Sequence, residues 1–215
     1  MKAIVINSIH ELLKVLLDKI SESKPNHRLV VSLSGAPGSG KSYVSKSIIQ
    51  EINKSTFNAA IFEMDGFHYD NSILEKKSLL DKKGSPETFD VNSLTSFLKR
   101  IKKNQEDEIA VPVFDRSLEL SRSSAYLIKK NISMIIAEGN YLLLNQKPWS
   151  DLHQYFDLTI MVKSSESILT KRLIDRWQSF KLDEQTIKNK VFNNDLPNGR
   201  FVYENSKLSD IELIN

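Results

Sequence analysis

Residues 29–42 read LVVSLSGAPGSGKS. The run from Leu29 to Leu33 is short, apolar and rich in β-branched residues, as in a buried parallel strand. Residues 35–42 then match G-x-x-x-x-G-K-[ST] at every fixed position, and a helical stretch follows from about Lys41 to Asn53. A strand, a glycine-rich turn and a helix in this order form the context that the pattern requires.

The residue types of this turn predict a phosphate-binding loop. Glycines let backbone N–H groups converge on phosphate oxygens, and the helix dipole adds positive potential. We expect Lys41 to reach the β- and γ-phosphates and the Ser42 hydroxyl to bind Mg²⁺. The sequence therefore predicts a nucleoside-triphosphate site, with ATP as the default, built from Gly35, Ala36, Pro37, Gly38, Ser39, Gly40, Lys41, Ser42 and Tyr43.

Two classes of nucleotide-binding protein fit poorly. The guanine motif N-K-x-D of GTPases has no match, since residues 53–56 read NKST and come too early in the chain. The second glycine-rich signature of transporter ATPases is also missing from the sequence. A small kinase or an ATPase switch remains.

Strands and helices are predicted to alternate on both sides of the loop. Before it, apolar residues from Ile9 to Ile20 recur at helical spacing behind a capping Ser8, and a break follows at 21–26 with Pro25. After it, helical residues 91–103 and a helix from Ser164 or Ser165 separate further apolar runs. These runs are at 59–64, 109–114, 132–137, 158–162 and 211–214. This order predicts an α/β fold, a three-layer αβα sandwich around a mainly parallel sheet.

Composition narrows the classes of function. The 215 residues suit one domain over 1–215, with 1–24 as an N-terminal helix, and the net charge of +3 forms no basic stripe typical of nucleic-acid binders. With no cysteine, disulfides, thiolate zinc sites and a cysteine nucleophile are excluded, and a reducing compartment is favoured. No apolar run approaches the roughly 18 residues of a membrane span, and the charged N-terminus makes a poor signal peptide. We expect a cytoplasmic protein without nucleic-acid or membrane partners.

Two acidic residues follow predicted strands directly. Asp65 and Glu138 each precede a glycine, at the strand ends where ligands gather in parallel sheets. Mg²⁺ prefers carboxylate oxygens, and phosphoryl transfer to a hydroxyl benefits from a carboxylate that accepts the proton. Transfer to a phosphate relies on arginines instead, so the pair favours a hydroxyl acceptor. Glu63, next to Met64, is expected to face the other side of its strand.

Several motifs together resemble one known superfamily. In chain order they are GAPGSGKS (35–42), MDGFHYDN (64–71), KGSPETFD (83–90), VPVFDR (111–116), EGNYLLL (138–144), RLIDRW (172–177) and NDLPNGRFV (194–202). They cover nearly the whole chain and are similar to the uridine kinase, phosphoribulokinase and pantothenate kinase superfamily. The best match is its bacterial branch of nucleoside-triphosphate-hydrolase-like or fructose-transport-associated kinases. The resemblance implies a P-loop NTPase fold with a helical lid over 171–200.

The resemblance also implies residue roles. Asp65 corresponds to the catalytic base, and Glu138 assists Ser42 in holding Mg²⁺. Arg172 and Arg176 share one helix face in the lid and suit the charge on the transferred phosphoryl group. Asn194, Asn198 and the final strand are expected around the adenine.

The acceptor pocket is expected within residues 67–122. Carboxylate and guanidinium groups would bind a polar acceptor, and an aromatic ring would pack on it. The candidates are Phe67, His68, Tyr69, Asp90, Phe114, Asp115, Arg116 and Arg122. Phe114 stands where uridine kinases tend to have tyrosine, which disfavours a uridine-type base contact. Trp149 and Trp177 are expected to be packing anchors.

The sequence thus predicts an ATP- and Mg²⁺-dependent kinase that phosphorylates a hydroxyl of a sugar, nucleoside or pantothenate-like metabolite. A nucleotide-dependent regulatory ATPase and a nucleoside-monophosphate kinase are the alternatives. The sequence is also compatible with a homodimer.

Overall fold

The computed structural model describes residues 2–24 and 27–215. In these ranges the strands are Ile4–Ile6 (β1), Leu29–Gly35 (β2), Ala59–Glu63 (β3), Glu108–Asp115 (β4), Leu120–Lys129 (β5), Met134–Gly139 (β6), Leu158–Lys163 (β7) and Ile211–Ile214 (β8). The α-helices are Ile9–Ser21 (α1), Lys41–Ile52 (α2), Asn71–Lys76 (α3), Val91–Lys103 (α4), Glu166–Ser179 (α5), Glu184–Lys190 (α6) and Leu196–Asn205 (α7).

Six of the strands form one parallel sheet in the order β1-β8-β7-β2-β6-β3. β2 lies near the middle, between β6 and β7, and all seven of its residues are buried. Such burial on both faces explains its continuous apolar sequence. The predicted mainly parallel sheet is confirmed, and the loop after β2 starts at the centre of its carboxyl edge.

Helices cover both faces of this sheet. Val31 and Leu33 pack in the core that includes the buried side chains of α1 and α2, whereas Val30 packs in the core that includes α4 and α7. Neighbouring strand residues point to opposite faces, so β2 supplies both cores. The predicted three-layer αβα arrangement is confirmed. Ser8 caps α1 as expected, since its side chain accepts a hydrogen bond from the backbone N–H of Glu11 at 3.2 Å.

The structure adds elements that the sequence did not reveal. Within the segment 1–24, assigned as helical, residues 4–6 form the short edge strand β1. β4 and β5 form a separate antiparallel hairpin, and β5 was missed because nearly all of its side chains are exposed or half-buried. α1 ends at Ser21, in agreement with the predicted break at 21–26, of which Pro25 and Asn26 lie outside the described residues.

Arg28 joins the sheet to the second layer. It is only 2 % exposed, and its guanidinium group donates hydrogen bonds to backbone carbonyl oxygens near the end of α4 and at or just after the end of β5. These oxygens belong to Ile101, Lys129, Lys130 and Ile132. A buried charge that satisfies several carbonyl groups is costly to remove, because each acceptor is then left without a partner.

We expect Arg28→Met to lower the free energy of unfolding by about 2–3 kcal/mol. Arg100→Met is the matched control, because Arg100 forms an exposed ion pair with Glu106 and its loss should cost less than about 1 kcal/mol. Urea denaturation of both variants measures the difference. Equal losses of stability in the two variants would show that the buried contacts of Arg28 with carbonyl oxygens stabilise the protein no more than the exposed ion pair of Arg100 does.

Candidate functional site

The loop after β2 is held by side chains from its own helix and from the end of the chain. Lys41 Nζ donates to the carbonyl oxygens of Gly35 and Ala36 at 3.0 and 2.9 Å, and burial lowers the pKa of Lys41 to about 8. Gly40 has a φ of 92°, and a Cβ there would lie 2.3 Å from Asn215 Nδ2. Any other residue would be strained at this positive φ. The loop can therefore present its backbone N–H groups and a protonated lysine to phosphate oxygens.

A hard-oxygen site lies beside the loop. Ser42 Oγ donates to Glu138 Oε1 at 2.5 Å, and Ser45 Oγ donates to Glu138 Oε2 at 2.7 Å. The donors are all oxygens, which is the set that Mg²⁺ prefers. Within residues 2–24 and 27–215 no cluster of three or more His, Cys, Asp or Glu could hold a metal by itself. A magnesium ion fits Ser42 and Glu138 if phosphate and water complete its ligands.

Glu63 faces the same cleft, and the expectation that it points the other way was wrong. Glu63 is the last residue of β3, and Asp65 lies two residues further on, in the turn that follows the strand. The intervening Met64 is the one that points into the core, where it is fully buried. Burial raises the pKa of Glu63, and the charges of Glu138 and Asp65 raise it further.

Asp65 lies on a single 3-10 turn, Met64–Phe67, after β3. Arg116 Nη2, from the turn of the β4–β5 hairpin, donates to Asp65 Oδ2 at 2.6 Å. Burial by itself would raise the pKa of Asp65, but the charges of His68, Arg116 and Lys41 outweigh it and hold this pKa below its usual value. Burial in turn lowers the pKa of His68 below its usual value. Asp65 is therefore ionised at neutral pH.

We expect Arg116→Gln to raise the pKa of the Asp65 carboxyl, because the variant removes a positive charge that stabilises the ionised form. Arg122→Gln is the control, since Arg122 pairs with Asp115 instead, at 3.2 Å. NMR titration of the carboxyl ¹³C resonance measures the pKa in each variant. An unchanged Asp65 pKa in Arg116→Gln would contradict this assignment of its cause.

These groups border one cleft of about 470 Å³ at the carboxyl edge of the sheet. It brings together most of the predicted site residues from the loop, the strand ends, the hairpin and the segment 171–200 that is predicted to form a lid. Those that line it are Pro37, Gly38, Gly40, Lys41, Ser42, Tyr43, Asp65, His68, Phe114, Arg116, Glu138, Arg172, Arg176, Asn194 and Asn198. Gly35, Ala36 and Ser39 form the buried backbone of the loop beneath it.

Five of the predicted acceptor-binding residues do not line this cleft. Phe67 is 4 % exposed and packs edge-on against Phe62 and Phe97 in the core. Asp90 caps α4, where it accepts hydrogen bonds from the backbone N–H and the hydroxyl of Ser93. Tyr69 borders, together with Asp90, a separate hollow of about 290 Å³.

Asp115 and Arg122 are the other two. They pair with each other on the hairpin, and Asp115 also accepts from Ser117 in the hairpin turn. Their side chains serve the local structure of the hairpin, so only His68, Phe114 and Arg116 of the predicted acceptor set reach the cleft.

The two arginines predicted to belong to a lid make different contacts. Arg172 Nη1 donates to the Ser39 carbonyl oxygen at 3.2 Å and so contacts the backbone of the loop. The guanidinium carbon of Arg176 lies 5.1 Å from the centre of the Trp177 ring. The indole N–H of Trp177 donates to Asp195 Oδ2 at 2.7 Å, which ties α5 to the π-helical turn before α7. Trp177 thus packs against the guanidinium group of Arg176 at the cleft.

Trp149, Asn194 and Asn198 each contact other parts of the chain. Trp149 is 2 % exposed and packs against Tyr141, which confirms its role as a packing anchor. Asn194 Nδ2 donates to the Lys83 carbonyl oxygen at 3.2 Å, and Asn198 Nδ2 donates to Asn194 Oδ1 at 3.0 Å. The two asparagines therefore lie beside the segment predicted to bind the acceptor.

Sequence reasoning missed several charged residues that line the cleft. They are Lys46, Glu63, Lys83, Glu119, Lys190 and Asp195. Lys46 could have been found, because it follows Ser42 by four residues and so shares its helix face. Lys83 begins the KGSPETFD motif, but nothing in the spacing shows that this stretch folds back over the cleft.

Comparisons with known proteins identify the family. The model of the KAP family P-loop domain matches residues 10–192. A Schizosaccharomyces pombe protein named "Putative uridine kinase" is 30 % identical over 88 % of this chain and 84 % of its own. The pantothenate kinase of Enterococcus faecalis is 30 % identical over 69 % of this chain, which spans about half (49 %) of that relative.

A solved structure is similar over almost the full length. The "putative fructose transport system kinase" from Silicibacter sp. TM1040 superposes with a TM-score of 0.88 at 32 % identity, covering 95 % of this chain and 98 % of that one. No helix in the described part of the chain has the length and apolar character needed to cross a membrane. The predicted family resemblance is confirmed, and the chain belongs to the P-loop kinase family.

Proposed function

We propose that this protein is an ATP- and Mg²⁺-dependent kinase that transfers the γ-phosphoryl group to a hydroxyl of a small metabolite. A sugar, a nucleoside or a pantothenate-like compound would have such a hydroxyl. The observation that supports this most is the position of Asp65. Its ionised carboxylate borders the cleft that also contains the loop lysine, close enough for the charge of Asp65 to raise the pKa of Lys41.

The reaction follows from these positions. The acceptor oxygen forms a bond to the γ-phosphorus, the bond from that phosphorus to the β,γ-bridging oxygen breaks, and ADP leaves with the electron pair. The hydroxyl proton passes to Asp65. Its Oδ2 accepts from Arg116, whereas no group in the described ranges donates to Oδ1, which is left to receive the proton. Proton acceptance by a positioned carboxylate assists the attack.

The other side chains hold and neutralise the phosphates. Lys41 and the loop N–H groups bind the β- and γ-phosphates, and Arg176 faces the charge that develops on the transferred group. Ser42 and Glu138 would hold the magnesium ion, which supplies positive charge to the phosphate oxygens when bound. The lid that carries Arg176 would also exclude water, which limits hydrolysis of ATP.

An acceptor screen tests the proposal. ADP formation from Mg·ATP is measured with polyols, sugars, nucleosides, hydroxy acids and sugar phosphates, and separately with AMP, CMP and UMP. A kinase of this class gives one phosphorylated product per ADP with at least one hydroxyl acceptor. ADP formation that no acceptor stimulates would favour a regulatory ATPase, and stimulation by nucleoside monophosphates alone would favour a monophosphate kinase.

A further inference from the structure

Lys83 lies on the acceptor side of the cleft, and its ammonium group is not fully hydrogen-bonded within the described residues. Its Nζ donates to Asn71 Oδ1 at 2.8 Å and to the Glu119 carbonyl oxygen at 2.7 Å. Both partners are neutral, and an ammonium group has three donors, so one N–H is left over. The Lys83 ammonium lies 5.3 Å from the centre of the Phe114 ring, in the wall of the cleft.

The nearby charges do not neutralise Lys83. Burial lowers the pKa of Lys83, and the ammonium of Lys190 across the cleft lowers it further. The carboxylates of Glu119 and Asp70 raise it, but in the described part of the chain neither comes within ion-pair distance of Lys83 Nζ. The Lys83 ammonium therefore has no bonded carboxylate and can form a charge-assisted hydrogen bond with an anionic group of a ligand.

Lys190 adds to this positive potential from the lid. It ends α6, its ammonium lies 4.6 Å from the Trp177 ring, and it lines the same cleft. It forms no ion pair within the residues that the structure describes. The carboxylate of Asp65, by contrast, already pairs with Arg116. The acceptor side therefore has two ammonium groups that form no ion pair in the described residues, beside the carboxylates of Glu119 and Asp195 that line the same cleft.

The aromatic wall offers no slot for a flat base. The His68 ring packs against Phe89 and Phe114, with ring centroids 4.0 and 4.9 Å apart. Rings at these distances are already in contact, so a nucleobase has no gap between them. Phe114 also has no hydroxyl that could bind the edge of a base.

We propose that the acceptor carries a carboxylate or a phosphate besides the hydroxyl that is phosphorylated, and that Lys83, assisted by Lys190, binds this anionic group. The inference rests on the proposed kinase function and narrows its substrate class. A hydroxy acid and a sugar phosphate share the required chemistry. A neutral nucleoside or an unmodified sugar does not.

Matched probes test the anionic group directly. The protein is saturated with Mg²⁺ and a non-hydrolysable ATP analogue, and binding is measured by calorimetry for glycerol, glycerate and glycerol 3-phosphate, and for ribose, ribonate and ribose 5-phosphate. We expect the anionic member of a set to bind at least tenfold more tightly than its neutral match. The carboxylate and phosphate arms distinguish the two sources of charge. Equal binding within both sets would overturn the proposal.

Variants locate the binding group. We expect Lys83→Met to weaken binding of the anionic probe about 10–100-fold and to leave the affinity for the neutral probe unchanged. Lys77→Met is the control, since the Lys77 ammonium lies against the Tyr69 ring outside the cleft. Anionic binding that survives Lys83→Met would remove Lys83 from this role.

Turnover separates this inference from the proposed function. If neutral acceptors are phosphorylated as efficiently as anionic ones, the kinase proposal stands and the anionic class is wrong. If anionic probes bind through Lys83 but no hydroxyl compound is phosphorylated, the anion site stands and the kinase proposal is wrong.

Discussion

Replacing Asp65 by asparagine should lower kcat for phosphorylation of the acceptor by about 10²–10⁴-fold, with the KM for ATP little changed. The amide has nearly the same shape as the carboxylate but cannot take up the hydroxyl proton. Asp65 borders the cleft through which the acceptor approaches, so the loss falls on the chemical step. Single-turnover kinetics with the acceptor found by the screen measure it without interference from product release.

Asp115→Asn is the matched control for this experiment. Asp115 lies on the same hairpin as Arg116, but it pairs with Arg122 and lines no part of the cleft. We expect it to retain near-normal kcat. Calorimetric titration should also show that Asp65→Asn still binds Mg·ATP. Wild-type turnover by Asp65→Asn would exclude Asp65 as the proton acceptor.

The fold could be predicted because its main signals are local. A glycine-rich loop between a buried strand and a helix is contained in one stretch of chain, and continuous apolar runs indicate parallel strands without any knowledge of their partners. β5 could not be predicted in the same way. Its side chains are mostly exposed, so its sequence has no apolar pattern, and only pairing with β4 makes it a strand.

The phosphate half of the site was more predictable than the acceptor half. Lys41, Ser42 and Glu138 follow from one motif and from the rule that parallel strands end at a common edge. The acceptor half depends on how residues 67–122 fold back over that edge. Phe67 and Asp90 were expected there from their motifs, but the first packs in the core and the second caps a helix.

Sequence reasoning missed Lys83 because its charge is unusual only in the folded structure. A lysine in a polar loop is usually solvated, and its lack of a carboxylate partner becomes visible only when the surrounding residues are placed. Asn71 and Glu119, whose oxygens hold its ammonium, lie 12 and 36 residues away in the chain. Functional charges of this kind arise from long-range contacts.

We expect the two arginines of the predicted lid, Arg172 and Arg176, to serve different steps of the reaction. Arg176 lines the cleft and is held against Trp177, whose indole N–H donates to Asp195. Burial and the charge of Arg116 lower the pKa of Arg176, and the carboxylates of Asp195, Asp65 and Glu119 offset this only in part, so a further anion in the cleft would stabilise its positive charge. The phosphoryl group that is being transferred is such an anion.

We expect Arg176→Met to lower kcat by about 10³-fold, as for other arginines that neutralise a transferred phosphoryl group. Arg172→Met is the comparison variant. Because Arg172 donates to the Ser39 carbonyl oxygen of the loop, its loss should raise the KM for ATP about tenfold and change kcat far less. Steady-state kinetics at saturating acceptor separate the two effects. If both variants lowered kcat equally, the lid arginines would act together on the transition state, and the division of their roles would be wrong.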